Sequence, residues 1–287
     1  MSVRFWGVRG SIAVPGQKTQ MFGGNTACIE VLVAGRRFII DAGTGILPLS
    51  DNLDPNPARG EHFDVLFTHL HHDHVVGLMS FAPLFVEGAT VNLYCGNLDG
   101  ATAEAALRNL FSPPLFPLTF DDLPAKVRFI GFNAGEVLQF GGVAVSTCPL
   151  NHPGGATGYR FDSGGQSAVF LTDVEHASDR SDPMLVAFCQ GAGLLVYDAT
   201  WDVPDYPRFK GWGHSTWAVG ADLASSAGVE RLACFHHAPE YDDERLLEME
   251  RTLQDRFPNA FFAREAMTVT LDARAKLSAL AGSAPGP

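Results

Sequence analysis

Charged side chains are scarce in this sequence. They make up 18% of its 287 residues, below the quarter usual in soluble domains. With 46% hydrophobic residues, that leaves ample material for a sizeable core in one large domain or two. Positive charge is the scarcer sign, and the formal net charge is −12. Such a surface repels polyanions at long range, which disfavours a large RNA or DNA substrate. No run of 18 apolar residues occurs, so no membrane span is expected. The opening Met1-Ser2-Val3-Arg4-Phe5-Trp6 has no apolar signal region followed by a cleavage site. Cysteines are few and odd in number: Cys28, Cys95, Cys148, Cys189 and Cys234. With no pair close in sequence, they read as reduced core thiols of a cytoplasmic protein.

Histidine is not scarce, and it is concentrated. An apolar run, Val65-Leu66-Phe67, leads into Thr68-His69-Leu70-His71-His72-Asp73-His74. If the run is a strand that continues, His69 and His71 share a face, because side chains alternate with period two. Asp73 and His74 then fall in the turn beyond, where the chain can fold back over the same spot. His72 faces away and is left out. Four borderline donors converging within a few ångströms suit a divalent metal, and their spacing divides them into two pairs, so two adjacent metals fit.

The rest of the chain supplies partners. Apolar, strand-like runs at 38–40, 143–148, 168–171, 194–197 and 232–235 are each followed closely by an acid or a histidine. With the tract, Asp41, His69, His152, Asp173, Asp198 and His236 all stand at or just past the C-terminal end of such a run. Sheet edges are where α/β proteins build sites. Further strands are expected at 3–8, 27–33 and 90–95. Residues 75–85 are expected to begin as a helix, with His74 near its N-terminus, and a helix is expected at 101–111, where Glu104 and Arg108 are spaced i,i+4. Two more are expected at 216–227, with Ser215 as N-cap and Gly228 past the end, and at 243–257. Asp41 opens an Ala-Gly-Thr-Gly turn that brings backbone close to something. Phe111, Phe116 and Phe120 belong either to a lid or to a satellite cluster under a loop. His62 and His176 have no role and read as surface residues.

The tract His69-x-His71-x-Asp73-His74, with the later strand ends, resembles the metallo-β-lactamase fold superfamily of metallohydrolases over nearly the whole chain. The resemblance implies an α/β fold, an αββα four-layer sandwich of two pseudo-symmetric halves. These would be roughly 1–140 and 141–278 of a single hydrolase domain, with 279–287 as a tail. It implies a dinuclear site. His69, His71 and His152 would bind one metal, Asp73, His74 and His236 the other, and Asp173 would bridge them, with a bridging water or hydroxide as nucleophile. Asp173 stands where classical β-lactamases have cysteine. Gly213-His214-Ser215-Thr216 and Phe235-His236-His237-Ala238-Pro239 look like the phosphodiesterase branch, which includes ribonuclease Z. The opening Arg4-Phe5-Trp6-Gly7-Val8-Arg9-Gly10-Ser11, with Gly23-Gly24-Asn25-Thr26, resembles a bacterial group of that branch. Two departures weigh against RNA. Tyr197 precedes the acid of Asp198-Ala199-Thr200 where ribonuclease Z has histidine, and no long Gly- and Lys-rich arm is present.

On that resemblance the expected activity is a dinuclear phosphodiesterase for a small cyclic nucleotide or cyclic phosphate. Its cofactors would be two divalent ions, zinc or alternatively manganese or iron. Asp73 would orient hydroxide as well as ligate. His214, held by Asp198, would stabilise charge or protonate the leaving oxygen. The plainer readings are helix capping for His214 and a turn acid for Asp198. The competing functions are an ester, lactone or thioester hydrolase, ribonuclease Z-like RNA processing, and a non-catalytic metal sensor. His236 is preferred to His237 as ligand, and Asp41 is expected to orient a ligand histidine. In the loop 201–212, Trp201, Tyr206, Arg208, Lys210 and Trp212 either contact a nucleotide or pack among themselves. The partner expected is a small phosphodiester rather than nucleic acid or membrane, and a homo-oligomer is left open.

Overall fold

The strands divide into two sets. In chain order the first six are β1 (Ser2–Gly7), β2 (Cys28–Val33), β3 (Arg36–Ile40), β4 (His62–Phe67), β5 (Thr90–Cys95) and β6 (Lys126–Gly131). The next seven are β7 (Val137–Phe140), β8 (Val143–Leu150), β9 (Ala156–Ser163), β10 (Gln166–Leu171), β11 (Leu194–Asp198), β12 (Leu232–Phe235) and β13 (Ala260–Phe262), and β14 (Thr268–Thr270) ends the series. The computed structural model describes residues 1–54, 61–177 and 182–271. The expected tail at 279–287 lies outside them.

Two seven-stranded sheets result, ordered β14-β1-β2-β3-β4-β5-β6 and β13-β12-β11-β10-β9-β8-β7. Each begins with antiparallel pairs, β1·β2·β3 and β7·β8·β9·β10, and continues with parallel ones, β3·β4·β5·β6 and β10·β11·β12·β13. The chain passes between sheets at 131–137, a few residues before the expected division, and β14 crosses back to pair with β1.

The layers follow from alternation. Phe38 and Ile40 join one apolar cluster and Ile39 another; Leu194 and Val196 likewise part from Leu195 and Tyr197. Strands apolar on both faces must be covered on both faces. Between the sheets, Phe38 meets Phe140 at 4.9 Å and Phe161 at 5.3 Å. Outside the first sheet, Ile39, Val65 and Phe67 pack with helix α1 (Ile46–Asp51) and, beyond the single turn α2 (His72–Val75), with α3 (Gly100–Leu110). Outside the second, Leu195, Tyr197 and Cys234 pack with α4 (Pro183–Cys189), α5 (Trp217–Ala227) and α6 (Asp243–Arg256). This is the expected αββα sandwich.

Several local expectations change. Residues 75–85 form no continuous helix: α2 is followed by 3₁₀ turns at Val76–Ser80 and Ala82–Phe85. Gly77 lies so close that an added Cβ would stand 2.0 Å from the Gly43 carbonyl, and Pro83 has no N–H to continue a ladder. The N-cap of α5 is Thr216, not Ser215. The Ser215 hydroxyl instead meets Tyr197 at 3.1 Å and His176 Nδ1 at 2.9 Å, so His176 is half-buried rather than a surface residue. Phe111 packs on Phe120 at 4.4 Å and on Phe116 at 5.1 Å within the outer cluster of the first sheet. Phe111 and Phe120 thus belong to the main cluster outside the first sheet, with Phe116 packed against it. All five cysteines are buried and unpaired. Among the described residues no helix is long and apolar enough to cross a membrane.

Arg9 ties the two halves together. It is wholly buried, donating from Nε to the Gly23 carbonyl at 2.8 Å and from Nη1 to those of Ala238 (3.2 Å) and Tyr241 (2.6 Å). Arg9→Met keeps the length but takes the Arg9 donor from the buried carbonyls of Gly23 and Tyr241, each worth roughly 1–3 kcal/mol, while the Ala238 carbonyl keeps the Tyr241 N–H at 3.2 Å. The expected result is a loss of about 3–5 kcal/mol and a melting temperature lower by about 10 °C, measurable by calorimetry.

Candidate metal centre

The carboxyl ends of β3, β4, β8, β10, β11 and β12 bring Asp41, His69, His152, Asp173, Asp198 and His236 to one edge of the sandwich. Three of these residues, Asp41 (φ 62°), Asp173 (φ 59°) and His236 (φ 64°), hold left-handed backbone conformations. Each costs about 1–3 kcal/mol for a non-glycine residue and persists only where its surroundings enforce it. The tract converges differently from expectation. β4 stops at Phe67, because the Thr68 N–H donates to Asp41 Oδ1 at 2.8 Å rather than to a neighbouring strand. His69 and His71 therefore meet through a loop, not by strand alternation, with rings 4.3 Å apart. Asp73 and His74 sit on α2, and His72 is exposed. The Asp41 turn supports this arrangement: a Cβ on Gly43 would stand 2.3 Å from the Asp73 carbonyl.

Two donor groups form. The first is His69, His71 and His152, and the second is Asp73, His74 and His236. In the first, His152 Nε2 faces His71 Nδ1 at 3.1 Å. In the second, His236 Nε2 lies 3.2 Å from His74 Nε2 and 3.1 Å from Asp73 Oδ2. Asp173 touches both. Its Oδ1 stands 3.9 Å from Nε2 of His69 and of His152 and 3.3 Å from that of His236, while Oδ2 is 3.3 Å from His74 Nε2.

The outer ring nitrogens fix which nitrogen faces inward. Thr68 Oγ1 donates to Asp41 Oδ2 at 2.9 Å, so it is left to accept from His69 Nδ1 at 3.1 Å. His74 Nδ1 donates to Asp41 Oδ2 at 2.8 Å, and His152 Nδ1 to the Gly213 carbonyl at 2.8 Å. Thr200 Oγ1 donates to the His236 carbonyl at 2.8 Å and accepts from His236 Nδ1 at 2.9 Å. Each proton on Nδ1 leaves a lone pair on Nε2. Four such lone pairs and two carboxylates then point at one small volume.

That arrangement suits cations. Buried His69 Nε2 and Asp173 Oδ2 have no hydrogen-bond partner, an orphaning that buried polar atoms seldom tolerate without a ligand. Burial works against charge on His74, yet the carboxylates of Asp173, Asp73 and Asp41 outweigh it and push its pKa well up. The histidine and aspartate donors are of metal-binding type. His237, by contrast, donates from Nε2 to the Ala263 carbonyl at 2.8 Å, and burial, helped by Arg9, lowers its pKa to about 3. It is a neutral core residue.

Beside these groups lies His214, whose Nδ1 meets Asp198 Oδ2 at 2.8 Å. Burial disfavours its charged form, but the Asp198 carboxylate prevails and raises its pKa to about 9. Asp198 is wholly buried and accepts from the N–H groups of Val174, Thr200 and Ser215. His214 does not cap α5. Several supporting residues escaped the sequence reading: Thr68, Thr200, Gly213, Ser11, whose N–H donates to Asp73 Oδ2 at 2.7 Å, and Glu175. Glu175 accepts from Gly211 N at 2.6 Å and Gly213 N at 2.8 Å and so holds the loop ahead of His214. Gly213 needs its identity: φ is +91° and a Cβ would stand 2.5 Å from His152 Nδ1. The Asp198-x-Thr200 spacing was the one available hint of Thr200. The loop 201–212 packs most of its own aromatics, with Trp201 stacked on Phe209 at 3.6 Å.

Comparison with known proteins bears on this centre. The chain is 27% identical over 269 residues to a ribonuclease Z of Azobacteroides pseudotrichonymphae, covering 83% of this chain and 89% of that one. Among solved structures, a diphosphatase of the PhnP family superposes with TM-score 0.67 at 20% identity, covering 95% of this chain and 98% of the other. Zinc-bound PqqB from Methylobacterium extorquens superposes with TM-score 0.70 at 16% identity, over 94% of this chain and all of the other. The beta-lactamase superfamily domain model matches residues 36–237, from β3 through His236 and so across both donor groups. A match of that extent, on a sandwich of this topology, means that the chain belongs to the beta-lactamase superfamily.

Proposed function

We propose that this metal-dependent hydrolase cleaves a small phosphodiester, a cyclic nucleotide or cyclic phosphate, at a pair of divalent cations. The convergence of four histidine Nε2 lone pairs on Asp173 carries the reading. His69, His71 and His152 would hold one cation, and Asp73, His74 and His236 the other, with Asp173 between them. Cations so held lower the pKa of water toward about 7 and draw charge off phosphoryl oxygens. Zinc fits these donors, as do manganese and iron.

The chain's own residues do the rest. Asp73, fixed by the Ser11 N–H, orients the attacking water. Asp198 holds Nδ1 of His214, leaving Nε2 to give a proton to the departing oxygen. The helix beginning just past His214 adds a positive dipole end for an anionic substrate. Five unpaired thiols support a cytoplasmic setting.

A second reading, RNA processing, is favoured by the relatives named ribonuclease Z. The net charge of −12 weighs toward the small substrate. A panel on metal-loaded protein decides between them: bis(p-nitrophenyl) phosphate, p-nitrophenyl phosphate, a 2′,3′-cyclic nucleotide, a lactone, a β-lactam and a precursor tRNA. The expected result is turnover of the diesters, abolished by a chelator and restored by zinc or manganese. Turnover of the lactone alone would overturn the phosphodiesterase assignment. Faster cleavage of the tRNA than of the mononucleotide would move it to RNA.

A further inference from the structure

We propose that Trp212 is a specificity-determining residue of this site, an aromatic plate that stacks on the base of a nucleotidyl phosphodiester. The proposal rests on the phosphodiesterase reading and narrows it to substrates that carry a nucleobase.

Trp212 is 62% exposed, the most exposed of the tryptophans and far more so than buried Trp6, Trp201 and Trp217. An isolated exposed aromatic means little, but this one is framed. The N–H groups of both its neighbours, Gly211 and Gly213, are held by the two carboxylate oxygens of Glu175, at 2.6 and 2.8 Å. Tyr206 donates its hydroxyl to the same carboxylate at 3.2 Å. The indole itself rests edge-on against Phe209 at 5.4 Å and 81°, and Phe209 is stacked on buried Trp201. Backbone and ring are thus both fixed while most of the indole stays in water. That is a preorganised contact, which binds without the cost of ordering a loop.

Its position gives the contact a purpose. The next residue, Gly213, accepts from His152, and the one after is His214, against Asp198. In a chain with net charge −12, the same loop also carries exposed Arg208 and Lys210. An exposed flat hydrophobic face on the same loop as two cationic side chains, next to the residue that holds the donor His152, matches a base joined to a phosphodiester.

The test compares wild type, Trp212→Ala and Trp212→Tyr, all zinc-loaded, on adenosine 2′,3′-cyclic phosphate and on the base-free glycerol 1,2-cyclic phosphate. Loss of one stacked base corresponds to roughly 5- to 150-fold. Trp212→Ala should therefore raise KM for the nucleotide by about 10- to 100-fold, with kcat and the base-free reaction changed by less than about threefold. Trp212→Tyr should restore most of the loss. Equal effects on both substrates, or none, would overturn the proposal. Calorimetric titration with adenosine 5′-monophosphate reads the same contact without turnover. Binding that is lost in Trp212→Ala sustains the stacking role even if neither ester is hydrolysed, in which case the phosphodiesterase reading alone falls. No binding to wild type, or equal binding to the variant, overturns the stacking role.

Discussion

Asp173→Ala is expected to leave a folded protein that no longer holds its metals and has lost its turnover. Asp173 presents a single carboxylate to both donor groups, with Oδ1 near His69, His152 and His236 and Oδ2 near His74. Two divalent cations held as proposed would bring four positive charges, and Asp173 and Asp73 are the carboxylates placed to oppose them directly. Removing one halves that opposition and leaves Asp73 as the only carboxylate among neutral imidazole donors. Loss of a residue that merely orients a ligand costs about 10- to 100-fold in affinity, so losing the shared ligand should exceed 100-fold. Measured by elemental analysis after desalting, the metal content should fall from near two per chain to well below one. Melting gives an independent reading. Metal present at about 100 times its dissociation constant contributes roughly 2.7 kcal/mol, which should raise the melting temperature of wild type by several degrees and that of Asp173→Ala by almost nothing. Retention of two metals by the variant would remove Asp173 from its bridging place.

The parts of this centre that were legible in the sequence share a physical origin. An acid or histidine placed directly after an apolar run is an unusual neighbour for a buried strand, and parallel strands carry such ends to a common edge. That is why Asp41, Asp173, Asp198 and His236 could be picked out one by one. The end of α5 at Gly228 was legible for a local reason too, whereas its N-cap is Thr216 rather than Ser215, whose hydroxyl is taken by Tyr197 and His176. What stayed hidden depends on distant partners of ordinary type. Glu175 looks like any loop acid until Gly211 and Gly213 close over it. Trp201 and Trp212 are the same residue in the same loop, yet one is core and the other is in solvent, because the first joins the apolar cluster under α5 and stacks on Phe209, whereas the second meets Phe209 only edge-on. His69 and His71 are neighbours, as strand alternation predicts, but they meet through a loop, since Thr68 turns to Asp41 and ends the strand first.

His214→Ala is expected to separate chemistry from metal binding. His214 lies close enough to Asp173, Asp198 and His236 to form a third donor group with them, so a role as ligand must be weighed against a role as acid. Its bonding favours the acid. Nδ1 is spent on Asp198 at 2.8 Å and lies 3.9 Å from Asp173. The ring stacks on His236 at 4.8 Å and 25°, parallel to that imidazole rather than aimed at a point shared with it. Asp198 is in turn held by three backbone N–H groups, so the pair is a fixed device and not a mobile surface contact. Proton transfer from a positioned side chain contributes about 10²- to 10⁴-fold, and the variant should lose kcat in that range while binding as much metal as wild type. The loss should depend on the leaving group. An alkoxide needs a proton as it departs, so a ribose or glycerol ester should show the full defect. A p-nitrophenolate leaves without one, so bis(p-nitrophenyl) phosphate should lose less than about tenfold. An equal defect on both esters would point instead to charge stabilisation at phosphorus, and loss of one metal per chain would make His214 a ligand.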